Sequence, residues 1–477
     1  MSKRAPVFAL AVVALAGFAA RVWGAFDDGI YWPDEIYQSF EMAHRLVFGN
    51  GLIPWEFVEG GRNYSMPALV AVLLGACKAL GFSTPFVYLR VVKVTFGAFS
   101  IVTGFGVFRL ARAFKAGEWA STAAASLWFL AGPVVYFAPR AMSENACAAP
   151  LVWGTALLFE EGASRRKLIL GASLLGLAVL FRLQVAVVLL AIVIVLAARR
   201  QWPSLKVVLP TFGVWAMLYG ALDAFTWHSL PNAKAGGWYH SVVVYVRFNL
   251  IEGRGAHWGT ADWTYFFHYL WTSMPTVTAL LAVGLIAALV RKQWVLPFLI
   301  GFFVLLHLPI GHKELRFMLP GIPLACACVA VAMSGLAERR QLLVAGAVAV
   351  AGVVSFIHVP SLTMGELGAY LERPQSSAWG DFGQFNRLLL KASLQTDLCG
   401  LRIDGADMAW VGGSTYLHTN AKLYRPWMPP QNGFFNYLIA QKGLQGIEVI
   451  AEDDGVALYR LPISTCRPDP SFTWQLG

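Results

Sequence analysis

"APVFALAVVALAGFAARVWGAF", Ala5 to Phe26, is long enough to cross a bilayer, follows Lys3 and Arg4, and lacks a small-residue cleavage site. It reads as a retained span rather than a removed signal peptide. The rest of the 477 residues agrees: 57% are hydrophobic, 14% aromatic and only 13% charged, with a mean hydropathy of +0.58. That is far too apolar for a soluble multidomain protein, so a polytopic α-helical membrane protein is predicted. The net charge of +10, from 37 Lys and Arg against 27 Asp and Glu, does not call for nucleic acid, because positive charge between spans reports orientation.

Further apolar runs lie at about 86–109, 119–137, 144–161, 168–182, 184–198, 207–226, 267–290, 294–310, 317–336 and 341–359. The run at about 66–82 decides the topology. Cations cluster at Lys3/Arg4, Arg112/Lys115, Arg165/Arg166/Lys167, Arg199/Arg200/Lys206, Arg291/Lys292 and Arg339/Arg340. These fall on one side only if 66–82 does not cross. That run starts at Pro67, carries Lys78 and is marginal in length, so it reads as a juxtamembrane helix on the outer face. The expectation is about eleven spans, with the N-terminus in the cytoplasm and the C-terminus outside.

Residues 1–359 are expected to form the transmembrane domain, and the polar stretch 360–477 a small extracytoplasmic α/β domain. In the latter, a helix is predicted near 381–394, a strand at "DMAWVG" (407–412), a helix near 434–442, and a hairpin turn at Asp454-Gly455. Of the six cysteines, Cys77, Cys147, Cys326 and Cys328 sit in apolar runs, where packing explains them. Cys399 and Cys466 lie in the polar region and are able to pair if it faces an oxidising compartment.

Two long outer loops are expected. The first, 26–85, carries "IYWPDEIYQSFEMAHRLVFGNG" (30–51), in which Pro33, Asp34 and Glu35 open an amphipathic helix. Two readings stand side by side for these acids: ordinary helix-start chemistry with the dipole, or a carboxylate serving as general base towards an acceptor hydroxyl. The second loop, about 227–266, is rich in Trp and Tyr, which suits an interfacial belt or sugar stacking. Cations also occur on the outer side, where orientation does not favour them: Arg62, Arg90, Lys93, Arg140, Arg182, Arg247, Arg254 and the segment "GHKELRF" (311–317). Singly each is able to snorkel or pair with an acid; together they suit a phosphate site. There is no phosphate loop ending in Gly-Lys-Ser/Thr, no zincin motif and no Asp-x-Asp pair for a metal-bound nucleotide sugar. No metal or cofactor is expected, and a transferase donor would be a lipid phosphate.

Three segments in order carry a resemblance. "WPDEIYQSFEMAHRLVFGNGLIPWEF" (32–57) resembles a His-Pro-Asp-Glu segment and its following helix, "GRNYSMPALVA" (61–71) an Arg-x-Tyr-x-x-Pro stretch, and "GHKELRFMLPGIPL" (311–324) a His-Lys-Glu-x-Arg-Phe segment. "RAMSENA" around Arg140 is similar to a shorter element. The family is the polytopic GT-C glycosyltransferases, within them the Alg9-like mannosyltransferases of lipid-linked oligosaccharide and glycosylphosphatidylinositol assembly. By this resemblance Asp34 takes the catalytic-base position and Glu35 the adjacent acidic one. Arg62, Tyr64, Arg90, Lys93, Arg140, His312, Lys313, Glu314 and Arg316 are substrate-binding candidates, the last four in a charged loop associated with donor phosphate. Trp32 departs from the pattern, where histidine is usual. The resemblance implies an inverting transfer of mannose from a polyprenyl phosphate to a hydroxyl of a lipid-linked or glycan acceptor. A bacterial inner membrane with an exterior site is expected, the endoplasmic reticulum being the alternative. The rival readings are a lipid or solute transporter, which would place its ionisable groups at the bilayer midplane, and a membrane scaffold.

Overall fold

The computed structural model describes residues 4–369, 376–380, 382–426 and 432–476. Lys3 and the first residue of the predicted 381–394 helix fall outside that set. The chain forms two compact units: Met1–Ala25 with Val94–Gln375, and Phe26–Lys93 with Ser376–Gly477. Composition drew its line at 359/360. Chain packing groups Phe26–Lys93 with Ser376–Gly477.

The first unit is helical. Among the described residues four helices are long and apolar enough to cross a membrane: Ala5–Gly24, Pro85–Ala113, Trp202–Trp227 and Glu338–Ser361. Other predicted spans are shorter or broken, and the breaks have local causes. The 119–137 run divides into Glu118–Leu130 and Gly132–Phe137, with extended backbone at Ala131. Pro133 has no N–H to offer the Phe129 carbonyl, and the Gly132 N–H donates to Ser355 Oγ at 3.1 Å. Arg21, fully buried, closes both gaps: its guanidinium donates to Phe129 O at 2.7 Å and Trp128 O at 2.9 Å, and also to Gly17 O and Ser100 Oγ. The 267–290 run likewise breaks at Met274, before Pro275, into Tyr265–Ser273 and Pro275–Val290. Helices Ser143–Phe159 and Arg165–Phe181 approach closely at paired glycines; a Cβ on Gly154 would lie 2.7 Å from Gly171 O.

In the second unit Pro33 precedes a helical segment that runs as a π-turn over Ile36–Phe40 and as an α-helix over Glu41–Phe48, ending at Gly49 in the left-handed region (φ 89°). The 66–82 run is the helix Ser65–Ala79. At about 1.5 Å per residue it falls short of a hydrocarbon core of about 30 Å. It buries Met66, Val70, Leu74 and Cys77 along one face, and Lys78 donates to Val47 O at 2.9 Å.

A two-stranded parallel pair joins β1 (Ile53–Pro54) to β7 (Gln475–Leu476). The remaining strands are β2 (Gly400–Ile403), β3 (Lys422–Tyr424), β4 (Tyr437–Gln441), β5 (Glu448–Asp453) and β6 (Val456–Arg460), in the order β3-β2-β4-β6-β5. β2 runs parallel to β3 and β4, whereas β6 is antiparallel to β4 and β5. The β5–β6 turn is Asp454-Gly455, both at positive φ (38° and 79°), as the sequence indicated. The predicted C-terminal helix is present as Gly383–Ala392.

Two local readings are corrected. Residues 407–412 are not a strand but a 3₁₀ turn at Met408–Trp410, because Tyr37 Oη donates to the carbonyls of Met408 and Val411 and takes them out of any ladder. Residues 434–442 are not a helix but contain β4: Tyr437 and Ile439 favour a pleated surface, and the segment pairs with β2 on one side and β6 on the other.

Cys399 and Cys466 form a disulfide with Cα atoms 5.8 Å apart, closing 67 residues of chain around the sheet. Loop closure on this scale restricts the unfolded chain, so a C399S/C466S variant is expected to lose about 2–5 kcal/mol of stability in this unit. Chemical denaturation followed by hydrogen exchange of the amides in β2, β4 and β6 would check it; an unshifted midpoint contradicts the expectation.

Candidate functional site

The turn before the first-loop helix is held by its own acid. Glu35, 3% exposed, accepts the Tyr31 N–H at Oε1 (3.0 Å), while its backbone N–H donates to Trp32 O. Asp34, beside it, is partly exposed. Trp32 is buried and meets Trp410 edge to face, ring centroids 6.1 Å apart.

One turn beyond Asp34, the Gln38 amide donates to Glu56 Oε1 at 2.7 Å. Glu56 is buried, and its backbone carbonyl accepts from Gly61 in a tight turn that leads to Arg62. Asn63 Oδ1 accepts the Ser65 N–H at 2.9 Å at the start of the next helix, and Tyr64 packs edge-on against Phe57. Burial and then the negative charge of Asp34 raise Glu56 to about 7, against the opposing pull of Arg62. Glu56 is absent from the candidates read from sequence. Its signal is a lone carboxylate inside the apolar run "LIPWEFV".

Arg90 and Lys93 are engaged with protein groups. Arg90 pairs with Asp28 at 2.8 Å, and buried Lys93 donates to the Asp27 carbonyl and, at 3.2 Å, to Tyr416 Oη. The C-terminal turn is fixed further by Glu41, which accepts from Thr415 N, Thr415 Oγ1 and Leu52 N, each at 2.6 Å. His44 sits next to it. Its Nδ1 donates to Asn50 O, leaving Nε2 to accept from His418 Nδ1 at 2.9 Å, and burial holds His44 down at about 4.

In the first unit the charged loop builds a continuous buried chain. His312 Nε2 lies 2.7 Å from Glu314 Oε1, Glu314 Oε2 accepts from Arg316 Nε, and Arg316 donates to Glu144 Oε1 at 2.9 Å. Arg182 reaches the same Glu144 oxygen at 3.0 Å and also donates to Ser143 Oγ. Burial would raise Glu314 and lower His312, but the charge of Arg316 on the former and the hydrogen bond that His312 donates to Glu314 on the latter prevail, so Glu314 is held low and His312 is raised. Lys313 turns away from this chain to donate to Ala261 O at 2.8 Å and to Ile310 O. Arg140 lies over the Tyr136 ring at 4.4 Å. Arg247 and Arg254 share Glu252 at the surface. Glu144, which joins two of these arginines, was not among the residues read from sequence. Among the described residues no group of three or more His, Cys, Asp or Glu is arranged to hold a metal ion.

Comparison with known proteins places this architecture. The chain is 25% identical over 306 residues to mannosyltransferase APTG1 of Arabidopsis thaliana (61% of this chain, 53% of the relative). It is 24% identical to GPI alpha-1,2-mannosyltransferase 3 of Danio rerio (65% and 56%) and 26% identical to GPI mannosyltransferase 3 of Drosophila melanogaster (65% and 54%). The matches thus span about half the length of these curated relatives. Among solved structures, ArnT from Cupriavidus metallidurans superposes with a TM-score of 0.62 in the apo state (12% identity, 97% of this chain and 99% of that one). The same protein bound to undecaprenyl phosphate gives 0.59 (14% identity, 98% and 100%). The oligosaccharyltransferase of Archaeoglobus fulgidus in its apo form gives 0.55 (12% identity, 92% and 70%). These are GT-C enzymes, and with the apolar helices they identify a polytopic helical membrane protein of that fold. The sequence model of the Alg9-like mannosyltransferase family matches residues 12–370, and the chain belongs to that family.

Proposed function

We propose that the protein is an inverting mannosyltransferase that moves mannose from a polyprenyl phosphate to a hydroxyl of a lipid-linked or glycan acceptor. The observation that carries this reading is the partly exposed Asp34, placed next to a buried acid whose Oε1 accepts the Tyr31 N–H. In the proposed step Asp34 takes the acceptor proton as the acceptor oxygen bonds to the anomeric carbon. The carbon–oxygen bond to phosphate breaks on the opposite face, and the phosphate leaves with the electron pair, converting a β-linked donor into an α-glycoside. A phosphate leaves well without a second acid, so Glu35 serves the turn that presents Asp34. Arg62 and Tyr64 follow on the same outer loop as acceptor or donor contacts. His312, Lys313, Glu314 and Arg316, with Arg140, form the loop that supports the donor phosphate, and Arg90 and Lys93 hold the base of the outer loop. The reading extends to about eleven spans and an active face on the exterior of a bacterial inner membrane.

The test is transfer from radiolabelled polyprenyl-phosphate mannose into a total lipid extract by the purified protein. A labelled lipid product is expected. No product across a panel of lipid-phosphate sugars, with acceptor present, would turn the reading towards transport.

A further inference from the structure

Three features of the second unit point at Glu56. It is 8% exposed, so its carboxyl has little access to water. It accepts from the Gln38 amide at 2.7 Å, and Gln38 lies one helical turn beyond Asp34 on the same segment. Its backbone is fixed on both sides: Gly61 N–H closes the turn after it, and Ile53 N–H donates to Trp474 O at 2.7 Å where β1 pairs with β7 just before it. Burying a carboxylate this deeply is costly, and the Gln38 amide, a backbone N–H and the Arg62 charge offset that cost only in part.

We infer that Glu56 is a positioning residue for the transfer: through Gln38 it fixes the turn that carries Asp34. This rests on the transferase reading of Asp34. Two carboxylates in one electrostatic neighbourhood do not ionise independently, and the more buried one retains the proton. The charged groups that face Glu56 are Asp34 from the helical segment and Arg62 from the following loop. Asp34 adds to the burial effect and Arg62 opposes it, and the result, about 7, leaves Glu56 about half protonated in neutral solution and protonated below it. When Glu56 does ionise, it draws on Arg62 and sets a second negative charge beside the base. Transfer therefore declines as pH rises through that range.

The test compares Glu56→Gln and Glu56→Leu in the full chain. Glu56→Gln keeps a neutral group whose carbonyl still accepts from Gln38; Glu56→Leu keeps the bulk and loses the acceptor. Glu56→Leu is expected to lower kcat about tenfold or more with KM for the donor within about threefold, the signature of lost alignment rather than lost binding. Glu56→Gln should restore most of that kcat, and its pH profile should lack the decline near 7. If Glu56→Gln is no better than Glu56→Leu, or declines with pH as the wild type does, the inference fails. A second readout needs no transfer activity. The infrared carbonyl band of a protonated carboxyl should disappear as pH rises through about 7 in the wild type. That band should be missing in Glu56→Gln and titrate at lower pH in Asp34→Asn, where the neighbouring charge is gone. A wild type that shows this band but no transfer would refute the transferase reading while leaving the proton on Glu56. A wild type with transfer but no such band would refute the inference alone.

Discussion

Replacing Asp34 by Asn is expected to lower transfer by about 10²–10⁴-fold, the usual contribution of a general base, with folding and membrane insertion retained. Asparagine keeps the shape of the side chain and its ability to accept a hydrogen bond but cannot take up the acceptor's proton. Asp34 is partly exposed at the start of a helix, where neutralising an acid costs only about 0.3–1 kcal/mol of dipole interaction. The neighbouring acid provides the control. Glu35 is 3% exposed and receives the Tyr31 N–H, a bond that the amide oxygen of Gln is equally able to accept. Glu35→Gln should therefore reduce transfer far less than Asp34→Asn. Initial rates at saturating donor, on protein that elutes as a single species, decide between them. A well-folded Asp34→Asn protein with near-native rates would remove Asp34 from the base role.

The largest effect on stability is expected at Glu144. Its Oε1 receives both Arg182 and Arg316, at 3.0 and 2.9 Å, and all three side chains are 3% exposed or less. Glu144→Leu would leave two buried guanidinium groups facing one another without the carboxylate that joins them. Removing one partner of a buried pair costs about 3–5 kcal/mol, because the remaining charge stays desolvated. Glu252, whose partners Arg247 and Arg254 are 39% and 48% exposed, offers a contrast. Screened by water, that arrangement contributes little, and Glu252→Ala should leave the melting temperature in place. A thermal melt in detergent that moves equally little for Glu144→Leu would show that the buried chain is not held by this carboxylate. The same geometry bears on Arg316. An alanine there deprives Glu144 and Glu314 of a partner together, so a loss of donor use in Arg316→Ala has to be separated from a loss of fold.

The parts of the fold that were legible in sequence are those with local causes. Apolar composition pointed to a membrane bundle, Asp454-Gly455 to a hairpin, and the stretch near 381–394 to a helix. Where the reading failed, tertiary contacts had overruled local preference. Tyr37 claims the carbonyls of Met408 and Val411 from more than three hundred residues away, and a stretch that looks like a strand becomes a turn. The candidate site divides in the same way. Asp34 and Glu35 were visible because they are adjacent, but nothing in their identities told which one the backbone would occupy. Glu144 and Arg316 are 172 residues apart, and a single sequence holds no sign that they meet. Arg21 passed as one more residue of a span, because its partners are carbonyl groups, which every residue possesses.

Arg21 has a consequence for how the chain is made. The carbonyls that satisfy it belong to Trp128 and Phe129, which are 107 and 108 residues further along. At a synthesis rate of about 5–20 residues per second, roughly 5–20 s pass before those partners leave the ribosome. During that interval the first helix carries a guanidinium with no intramolecular match at those two positions, near the end of its span, where a long side chain reaches the headgroups most easily. Helix Ala5–Gly24 thus lacks these two contacts until Trp128 and Phe129 are in place, after about a quarter of the chain has been made.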